Sequence, residues 1–430
     1  MNLLHVWITL PGGETTALGQ LALGDPRPDG TSPTAFRYAP TWLVRPDAFP
    51  VNPDPQSLPL DAREFNGSHL GPPLQVFDDA MPDDWGRRLI AAENKLPMAR
   101  QMPYWFLRAV GSGGLGALSF SEQPKPPKRQ PSATDMEDLI QAAMDFDAGR
   151  PVEDRRLKRL YAAGATPGGA RPKALVAADG HEWIAKFPSQ VRDGGHDVVG
   201  LEATSLAAAA QAGLETPEFR LIDLGQRRAL LVRRFDVMAA GGRCHMISLK
   251  TLCGERGGVF ATSYDDPMGV IRKYASAPQS DTERLFRQMA FNAAIGNTDD
   301  HLKNFAMLRD ERGWRLSPAF DLTPDLGRNG EHVLTIGYSR NTPRGDELVA
   351  VGDRWLGDRR LALEIVHDVI DAVSTFRATA ADLGVAQHSI EFFAADIGRR
   401  LDILGQGLAH GTDNHDTTRR TTGSVEPSGR

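Results

Sequence analysis

The chain has 430 residues, of which 41% are hydrophobic and 24% charged, values ordinary for a soluble globular protein of two or three domains. Its formal net charge of -6 excludes a general attraction to nucleic acid, so contact with DNA would need a local basic patch or a partner protein. Two cysteines, Cys244 and Cys253, are too few for a disulfide framework or a four-ligand zinc site, which favours reduced thiols.

The amino-terminal residues do not resemble a targeting segment. Residues 1–10 are apolar but lack a basic region and run into Pro11-Gly12-Gly13, which predicts a strand and a turn rather than a signal peptide. No stretch reaches the ~18 apolar residues that a transmembrane helix needs. We therefore expect a cytoplasmic protein with no membrane contact.

Residues 1–122 are predicted to form a small mixed subdomain. Alternating apolar residues within 4–23 indicate a hairpin, and residues 35–38 and 41–44 indicate further strands. A helix is predicted to begin within residues 81–90, with Asp83 and Asp84 near the positive end of its dipole. The glycine-rich residues 111–116 lack a following Lys-Ser or Lys-Thr pair, which favours a plain turn over a phosphate loop.

A linker, a second domain and a tail are predicted after this subdomain. Residues 123–134 carry four prolines, which interrupt any helix, and are predicted to be the linker. Residues 135–162 show helical spacing and open a domain predicted to reach residue 410. The polar residues 411–430 are predicted to be a disordered tail.

The first candidate nucleotide site is a glycine-rich loop at residues 164–173 that leads into a hairpin at 174–187. Glycine lets backbone N–H groups approach phosphate oxygens closely. Lys186 ends the second strand among apolar neighbours, where an ATP phosphate and a carboxylate would compensate its charge. A lysine that reaches solvent is an equally good reading of Lys186 alone.

Glu202 stands on an alanine-rich helix predicted at residues 200–214 and is a candidate partner for Lys186. A solvated first-turn glutamate is the alternative. A second hairpin at 221–232 leads into residues 233–236, which would be the hinge in a two-lobed kinase.

The candidate catalytic loop is Gly296-Asn297-Thr298-Asp299-Asp300-His301-Leu302-Lys303-Asn304-Phe305, which follows a helix predicted to open with a capping box at Ser280-Asp281-Thr282-Glu283. An acid followed by an amide five residues later, and by a further acid at Asp321 after a hairpin, is a pattern of phosphoryl transfer. Asp299 would orient or deprotonate a hydroxyl while Asn304 and Asp321 hold magnesium. His301 fits a hydrogen-bonded structural histidine better than a phosphate ligand, and residues 241–279 give no clear pattern.

Taken together, these motifs resemble the HipA family of serine/threonine kinases, the toxins of bacterial type II toxin–antitoxin modules. The resemblance covers nearly the whole chain except the tail. The motifs that carry it are Gly168-Gly169-Ala170-Arg171-Pro172-Lys173, Trp183-Ile184-Ala185-Lys186-Phe187-Pro188, Arg234-Phe235-Asp236, Asn297-Thr298-Asp299-Asp300-His301-Leu302-Lys303-Asn304 and Ala319-Phe320-Asp321.

The resemblance implies an α+β fold with a small N-terminal mixed subdomain and a two-lobed protein-kinase-like core whose C-terminal lobe is helical. It implies ATP and Mg²⁺ as cofactors, Asp299 as catalytic acid/base, and Asn304 and Asp321 as magnesium ligands. The residues expected at ATP are Lys186 with Glu202 at the phosphates, Gly168, Gly169, Lys173 and His301 nearby, and Arg234, Phe235 and Asp236 at the adenine and ribose.

The family also switches itself off by phosphorylating a serine in the glycine-rich loop. The matching position here is Thr166, a departure from serine that leaves autophosphorylation an open question. The implied partners are a helix-turn-helix antitoxin, which would provide the only link to DNA, and a protein substrate such as an aminoacyl-tRNA synthetase. Two other functions remain open, namely a non-catalytic corepressor and a small-molecule kinase with an acceptor groove within residues 241–279.

Overall fold

The computed structural model describes residues 1–71, 73–128, 136–164, 169–225, 227–238, 241–254, 262–327 and 330–408. The calls on Thr166, Gly168 and the tail lie outside these residues, as does part of the predicted linker. None of the helices in these ranges is long and apolar enough to cross a bilayer.

An antiparallel five-stranded sheet in the order β4-β3-β2-β1-β5 organises the first third of the chain. Alternate residues of β1, among them Leu4, Val6 and Ile8, are buried, as the sequence pattern predicted. The elements are β1 (Asn2–Thr9), β2 (Thr15–Leu23), β3 (Pro33–Tyr38), α1 (Pro40–Leu43), β4 (Phe65–Ser68), α2 (Val76–Asp79), α3 (Asp84–Glu93), α4 (Pro103–Val110) and β5 (Leu118–Ser121), with a 3₁₀ turn at Met98–Arg100.

A second antiparallel sheet, in the order β6-β7-β9-β8, forms the first lobe of the core. Helices α5 and α6 pack against it together with Trp85 and Leu89 of α3, so the N-terminal subdomain and this lobe share one hydrophobic cluster. The elements are α5 (Met136–Asp147), α6 (Asp154–Gly164), β6 (Lys173–Ala178), β7 (His181–Lys186), α7 (Val198–Gln211), β8 (Phe219–Leu224) and β9 (Arg227–Arg233).

The second lobe is mainly helical and carries one small sheet in the order β10-β11-β12. Strand β10 and helices α8 and α9 occupy much of the region whose sequence gave no clear pattern. The elements are β10 (His245–Ser248), α8 (Leu249–Cys253), α9 (Asp265–Tyr274), α10 (Pro278–Ile295), β11 (Ala306–Asp310), β12 (Gly313–Leu316), α11 (Gly345–Leu356), α12 (Arg359–Ser374), α13 (Phe376–Asp382) and α14 (Gln387–Leu408), with a 3₁₀ turn at Leu302–Asn304.

The predicted α+β architecture with a helical C-terminal lobe is confirmed, but two local predictions are wrong. Residues 41–44 are not a strand, because Pro40 presets a helical φ and opens α1 after the extended Ala39. The predicted capping box does not cap α10, because this helix already begins at Pro278. Asp281 is instead fully buried and accepts hydrogen bonds from Arg315 Nε and Leu316 N, each at 3.0 Å.

Candidate active site

A cavity of about 820 Å³ lies between the two lobes. Its walls come from the start of β6, the end of β7, helix α7, the segment after β9 and the loop after α10. The structure therefore brings together candidates that are more than 100 residues apart in sequence. The predicted site residues that line the cavity are Gly169, Lys173, Lys186, Glu202, Arg234, Phe235, Asp236, Asp299, His301, Asn304 and Asp321.

An ion cluster around Lys186 crosses the cavity. Lys186 Nζ donates to Asp321 Oδ1 at 2.7 Å and also bonds Glu202 Oε1. Burial alone would lower the pKa of Lys186, but the charges of Asp321 and Glu202 outweigh it and raise that pKa, so the ammonium stays protonated. The predicted pairing of Lys186 with Glu202 is thus present, and the lysine does not simply reach into solvent.

The same cluster perturbs its two carboxyl groups in opposite directions. The charge of Lys186, against the effect of burial, lowers the pKa of Asp321 far below its ordinary value. Burial raises the pKa of Glu202, because its side chain is only 8% exposed. Asp321 is therefore the permanently ionised member and the better candidate for a cation ligand.

Lys173 lies directly beside Lys186, because the two residues are paired across β6 and β7. Its side chain is buried, and burial lowers its pKa to about 8 although Asp321 and Glu202 oppose the shift. A second ammonium so close to the first can be kept charged most easily by an anion. This arrangement suits the phosphates of a nucleotide.

The candidate catalytic loop starts at a sharp turn. Gly296 adopts the left-handed conformation with φ of 76° and ends α10, as glycine does at many helix ends. Asp299 follows with a side chain that is 78% exposed to the cleft. The cleft walls partly shield it from bulk water, which raises its pKa; His301 opposes this shift and Asp321 adds to it.

Asp300, the neighbour of Asp299, holds this loop in place on its buried side. Its fully buried carboxylate accepts from Tyr264 OH at 2.8 Å, from His332 Nδ1 at 2.9 Å and from the backbone N of Val333 at 2.8 Å. A buried charge held by this many donors makes the loop backbone rigid. The sequence analysis did not single out Asp300, although its place inside the motif was the available signal.

Asn304 and Asp321 have the chemistry of a magnesium pair. Asn304 Nδ2 donates to the Asp299 carbonyl oxygen at 2.9 Å, so its amide oxygen is the atom suited to a cation. Asp321 adopts a left-handed φ of 58°, rare for a residue other than glycine and typical of strained functional positions. The described residues contain no group of three acidic, histidine or cysteine side chains for a metal, and a cation held by this pair would take its other ligands from water or phosphate oxygens.

Two of the three predicted adenine and ribose residues, Arg234 and Asp236, bond the N-terminal subdomain. Arg234 Nη2 donates to the carbonyl oxygen of Gly114 at 2.9 Å, and Asp236 Oδ2 accepts from Gly116 N at 2.7 Å. Their charged groups also bond each other and so join the hinge to the N-terminal subdomain. The ring of Phe235 lies 5.6 Å from that of Phe320, and both rings line the cavity as an apolar surface.

His301 lies next to the catalytic candidate. Its Nε2 is 3.7 Å from Asp299 Oδ1, and its buried Nδ1 has no hydrogen-bond partner in the described part of the chain. Several residues at the cavity were not predicted as site residues. Among them are Asp83 of the N-terminal subdomain, which the sequence linked only to a helix dipole, and Lys303, which stands inside the catalytic motif.

Comparisons with known proteins identify the family of the chain. The family model of the HipA N-terminal domain matches residues 15–121, and that of the HipA-like C-terminal domain matches residues 165–376. The "Putative kinase Y4mE" of Sinorhizobium fredii is 24% identical over 86% of this chain and 93% of its own length. The serine/threonine-protein kinase toxin HipA of Shewanella oneidensis is 23% identical over 74% of this chain and 77% of its own length.

A solved structure shows the same fold over almost the whole chain. It is that of the Shewanella oneidensis toxin–antitoxin complex of HipA, HipB and operator DNA, and its matching chain superposes with a TM-score of 0.66 at 18% identity. The match covers 94% of this chain and 97% of that chain. The two family models, the relatives and this fold lead to one conclusion: the chain belongs to the HipA family of serine/threonine kinases.

Proposed function

We propose that this protein is a toxin kinase that uses ATP and Mg²⁺ to phosphorylate a serine or threonine hydroxyl of another protein. The observation that carries the proposal is the placement of Lys186, Glu202 and Asp321 in the same cleft as Asp299 and Asn304. A phosphoryl-transfer site needs cations for the phosphates, ligands for a metal and a carboxylate for the acceptor hydroxyl. These five side chains supply all three.

Each group has a defined task in this proposal. Lys186 and Lys173 bind the phosphates of ATP through their ammonium groups. Asp299 orients the acceptor hydroxyl and takes its proton while the hydroxyl oxygen bonds the γ-phosphorus of ATP, and the bond from that phosphorus to ADP breaks so that ADP leaves. Burial raises the pKa of Asp299, which makes its carboxylate a stronger base than an ordinary aspartate.

The metal has its ligands in Asp321 and Asn304. Magnesium, when bound with ATP, would neutralise charge that develops on the transferred phosphoryl group. Asp321 bonds Lys186 directly, so these two residues link the metal site to the phosphate site. Phe235 and Phe320 are proposed to contact the adenine through their rings.

We also propose a helix-turn-helix antitoxin as partner. The support is the structural likeness to a HipA chain that was solved in complex with HipB and operator DNA. The net charge of -6 is consistent with contact to DNA only through such a partner. An aminoacyl-tRNA synthetase remains the first acceptor to test, and autophosphorylation at Thr166 is a further possibility raised by the family resemblance.

The test is phosphate transfer by the purified protein. Labelled ATP and Mg²⁺ are supplied alone or with a set of aminoacyl-tRNA synthetases, and phosphorylated sites are mapped by mass spectrometry. The variant Asp299→Asn should lose at least 100-fold in rate and still bind ATP, because it keeps the phosphate ligands. Asp371→Asn, an exposed change on α12, is the matched control.

The outcomes separate the functions. Incorporation by the wild type and by Asp371→Asn, but not by Asp299→Asn, supports the kinase. Equal incorporation by Asp299→Asn refutes the role of Asp299. ATP binding without transfer to any protein, while the antitoxin complex still represses, favours the corepressor, and transfer only to metabolites favours a small-molecule kinase.

A further inference from the structure

Asp83 bridges the two lobes of the core although it belongs to the N-terminal subdomain. One carboxylate oxygen, Oδ2, accepts from the backbone N of Gly169 in the glycine-rich loop at 2.8 Å. The other, Oδ1, accepts from Lys303 Nζ in the catalytic loop at 3.0 Å. A single side chain outside the kinase core therefore holds the loop on each side of the cleft.

The neighbours of Asp83 strengthen this bridge. The fully buried Trp85 donates from Nε1 to the carbonyl oxygen of Lys173 at 3.0 Å, and its backbone N donates to the carbonyl oxygen of Gly169 at 3.3 Å. On the other side, the Asp79 carboxylate accepts from Ser248 N at 2.8 Å and from Ser248 Oγ at 2.7 Å. Trp85 and Asp79 add four hydrogen bonds to the two that Asp83 accepts, so these three residues of the short segment 79–85 join it to both lobes by six hydrogen bonds.

The electrostatics favour a permanent contact. Burial alone would raise the pKa of Asp83, but the charge of Lys303 and the bond from Gly169 lower it. Burial would lower the pKa of Lys303, and the charge of Asp83 raises it. Both groups are therefore ionised near neutral pH, and their side chains are only about one-third exposed, at 33% and 31%.

We propose that Asp83 is a positioning residue, which sets the spacing between the glycine-rich loop and the catalytic loop so that the N-terminal subdomain determines the geometry of the cleft. The inference rests on the proposed kinase function. Asp83 touches neither loop's reacting groups in the proposed mechanism and acts through Gly169 and Lys303. Loosening either loop misplaces the phosphates relative to Asp299, and misplacement of about 1 Å can cost up to ~100-fold in rate.

The variant Asp83→Asn tests this role. Asparagine has the same shape but a single acceptor oxygen, so it can keep only one of the two bonds. We expect the maximal rate of Mg²⁺-dependent ATP turnover to fall about tenfold, with a smaller change in the half-saturating ATP concentration. Asp47→Asn, which affects a surface pair with Arg45 in the same subdomain, should leave both values unchanged.

A double-mutant cycle separates loss of the Asp83–Lys303 contact from a general loss of structure. The maximal rate of ATP turnover should be nearly the same in Lys303→Met and in the double variant Asp83→Asn/Lys303→Met, because removing both partners of one contact costs little more than removing one. Additive losses would contradict the coupling. Asp83→Glu, which retains the charge, should recover part of the lost rate.

Amide hydrogen exchange without nucleotide gives a readout that does not depend on catalysis. Peptides covering residues 169–173 should exchange faster in Asp83→Asn than in the wild type, and the same peptides should be unchanged in Asp47→Asn. Unchanged exchange and unchanged rates in Asp83→Asn refute the bridge while the kinase function stands. Tighter ATP binding and a faster rate also refute it, since Asp83 would then compete with phosphate for Gly169 and Lys303.

A failure of the proposed function is recognisable in the same experiment. If the wild type transfers phosphate to no acceptor protein yet exchange at residues 169–173 rises in Asp83→Asn, the bridge is real and the proposed phosphoryl transfer fails. If the wild type is active, the rates of the variants decide the inference alone.

Discussion

Replacing Lys186 with methionine tests the ion cluster that crosses the cleft. The ammonium bonds both Asp321 and Glu202, and methionine has a similar length without the charge. The change removes the ammonium that both carboxylates bond, and the Glu202 side chain is only 8% exposed. We expect a less stable protein that also binds ATP more weakly.

The magnitude follows from the geometry. At the 2.7 Å separation of Lys186 Nζ and Asp321 Oδ1, Coulomb's law with an effective dielectric constant of ~20 gives about 6 kcal/mol of gross attraction. Desolvation of the charges cancels part of this, and breaking one buried pair typically costs ~3–5 kcal/mol. Because the Asp321 side chain is 40% exposed, we expect a loss near the lower end, about 3 kcal/mol in the free energy of unfolding.

Urea unfolding without nucleotide measures the effect in four proteins. They are the wild type, Lys186→Met, the double variant Lys186→Met/Glu202→Gln, and Lys158→Met as an exposed control on α6. The double variant should regain at least half of the lost stability, because an amide needs no counter-charge. A Lys186→Met protein within about 0.5 kcal/mol of the wild type would refute the ion cluster as described.

Two further predictions concern Lys173 and Asp300. The pKa of Lys173 is about 8, below its ordinary 10.5, so the amine becomes neutral above pH 8. The KM of the wild type for ATP should then rise by up to tenfold per pH unit, because the neutral amine no longer attracts phosphate. Lys173→Met should show no such rise in KM between pH 7 and 9.5. A flat KM profile in the wild type would contradict a role for Lys173 in binding ATP. In the unfolded chain the amine keeps its proton up to about pH 10.5, so the contribution of Lys173 to the free energy of unfolding increases with pH between 8 and 10.5. Asp300→Asn leaves donors from Tyr264, His332 and Val333 with too few acceptors, so thermal unfolding should reveal a loss of about 2–3 kcal/mol that Asp371→Asn does not produce. An Asp300→Asn protein as stable as the wild type would rule out its role in fixing the catalytic loop.

The sequence was sufficient for the parts of this protein that depend on local patterns. Alternation of apolar residues predicted the opening hairpin, helical spacing predicted α5, and an alanine-rich run predicted α7. The predicted pairing of Lys186 with Glu202 needed only a lysine at the end of a strand and an acid at the start of the next helix. The kinase family followed from motifs, because the order of acid, amide and second acid is itself a chemical pattern.

Local patterns failed where two signals competed. Residues 41–44 have strand-forming side chains, but Pro40 decides the backbone of α1. Ser280 and Glu283 fit a capping box, yet α10 begins at Pro278 and already includes both residues. Asp281 is buried on this helix and accepts a hydrogen bond from Arg315. In each case, a fixed φ or a tertiary contact outweighed the intrinsic preference of a short segment.

Only the tertiary structure decided which distant residues meet at the cleft. Asp83 contacts Lys303 across 220 positions of sequence, and Arg234 contacts Gly114 across 120. No local pattern encodes such contacts, because they depend on how two sheets and a helical lobe pack against one another. The sequence by itself therefore determined the family and predicted the residues of the site, whereas packing determined that the N-terminal subdomain contacts both loops of that site.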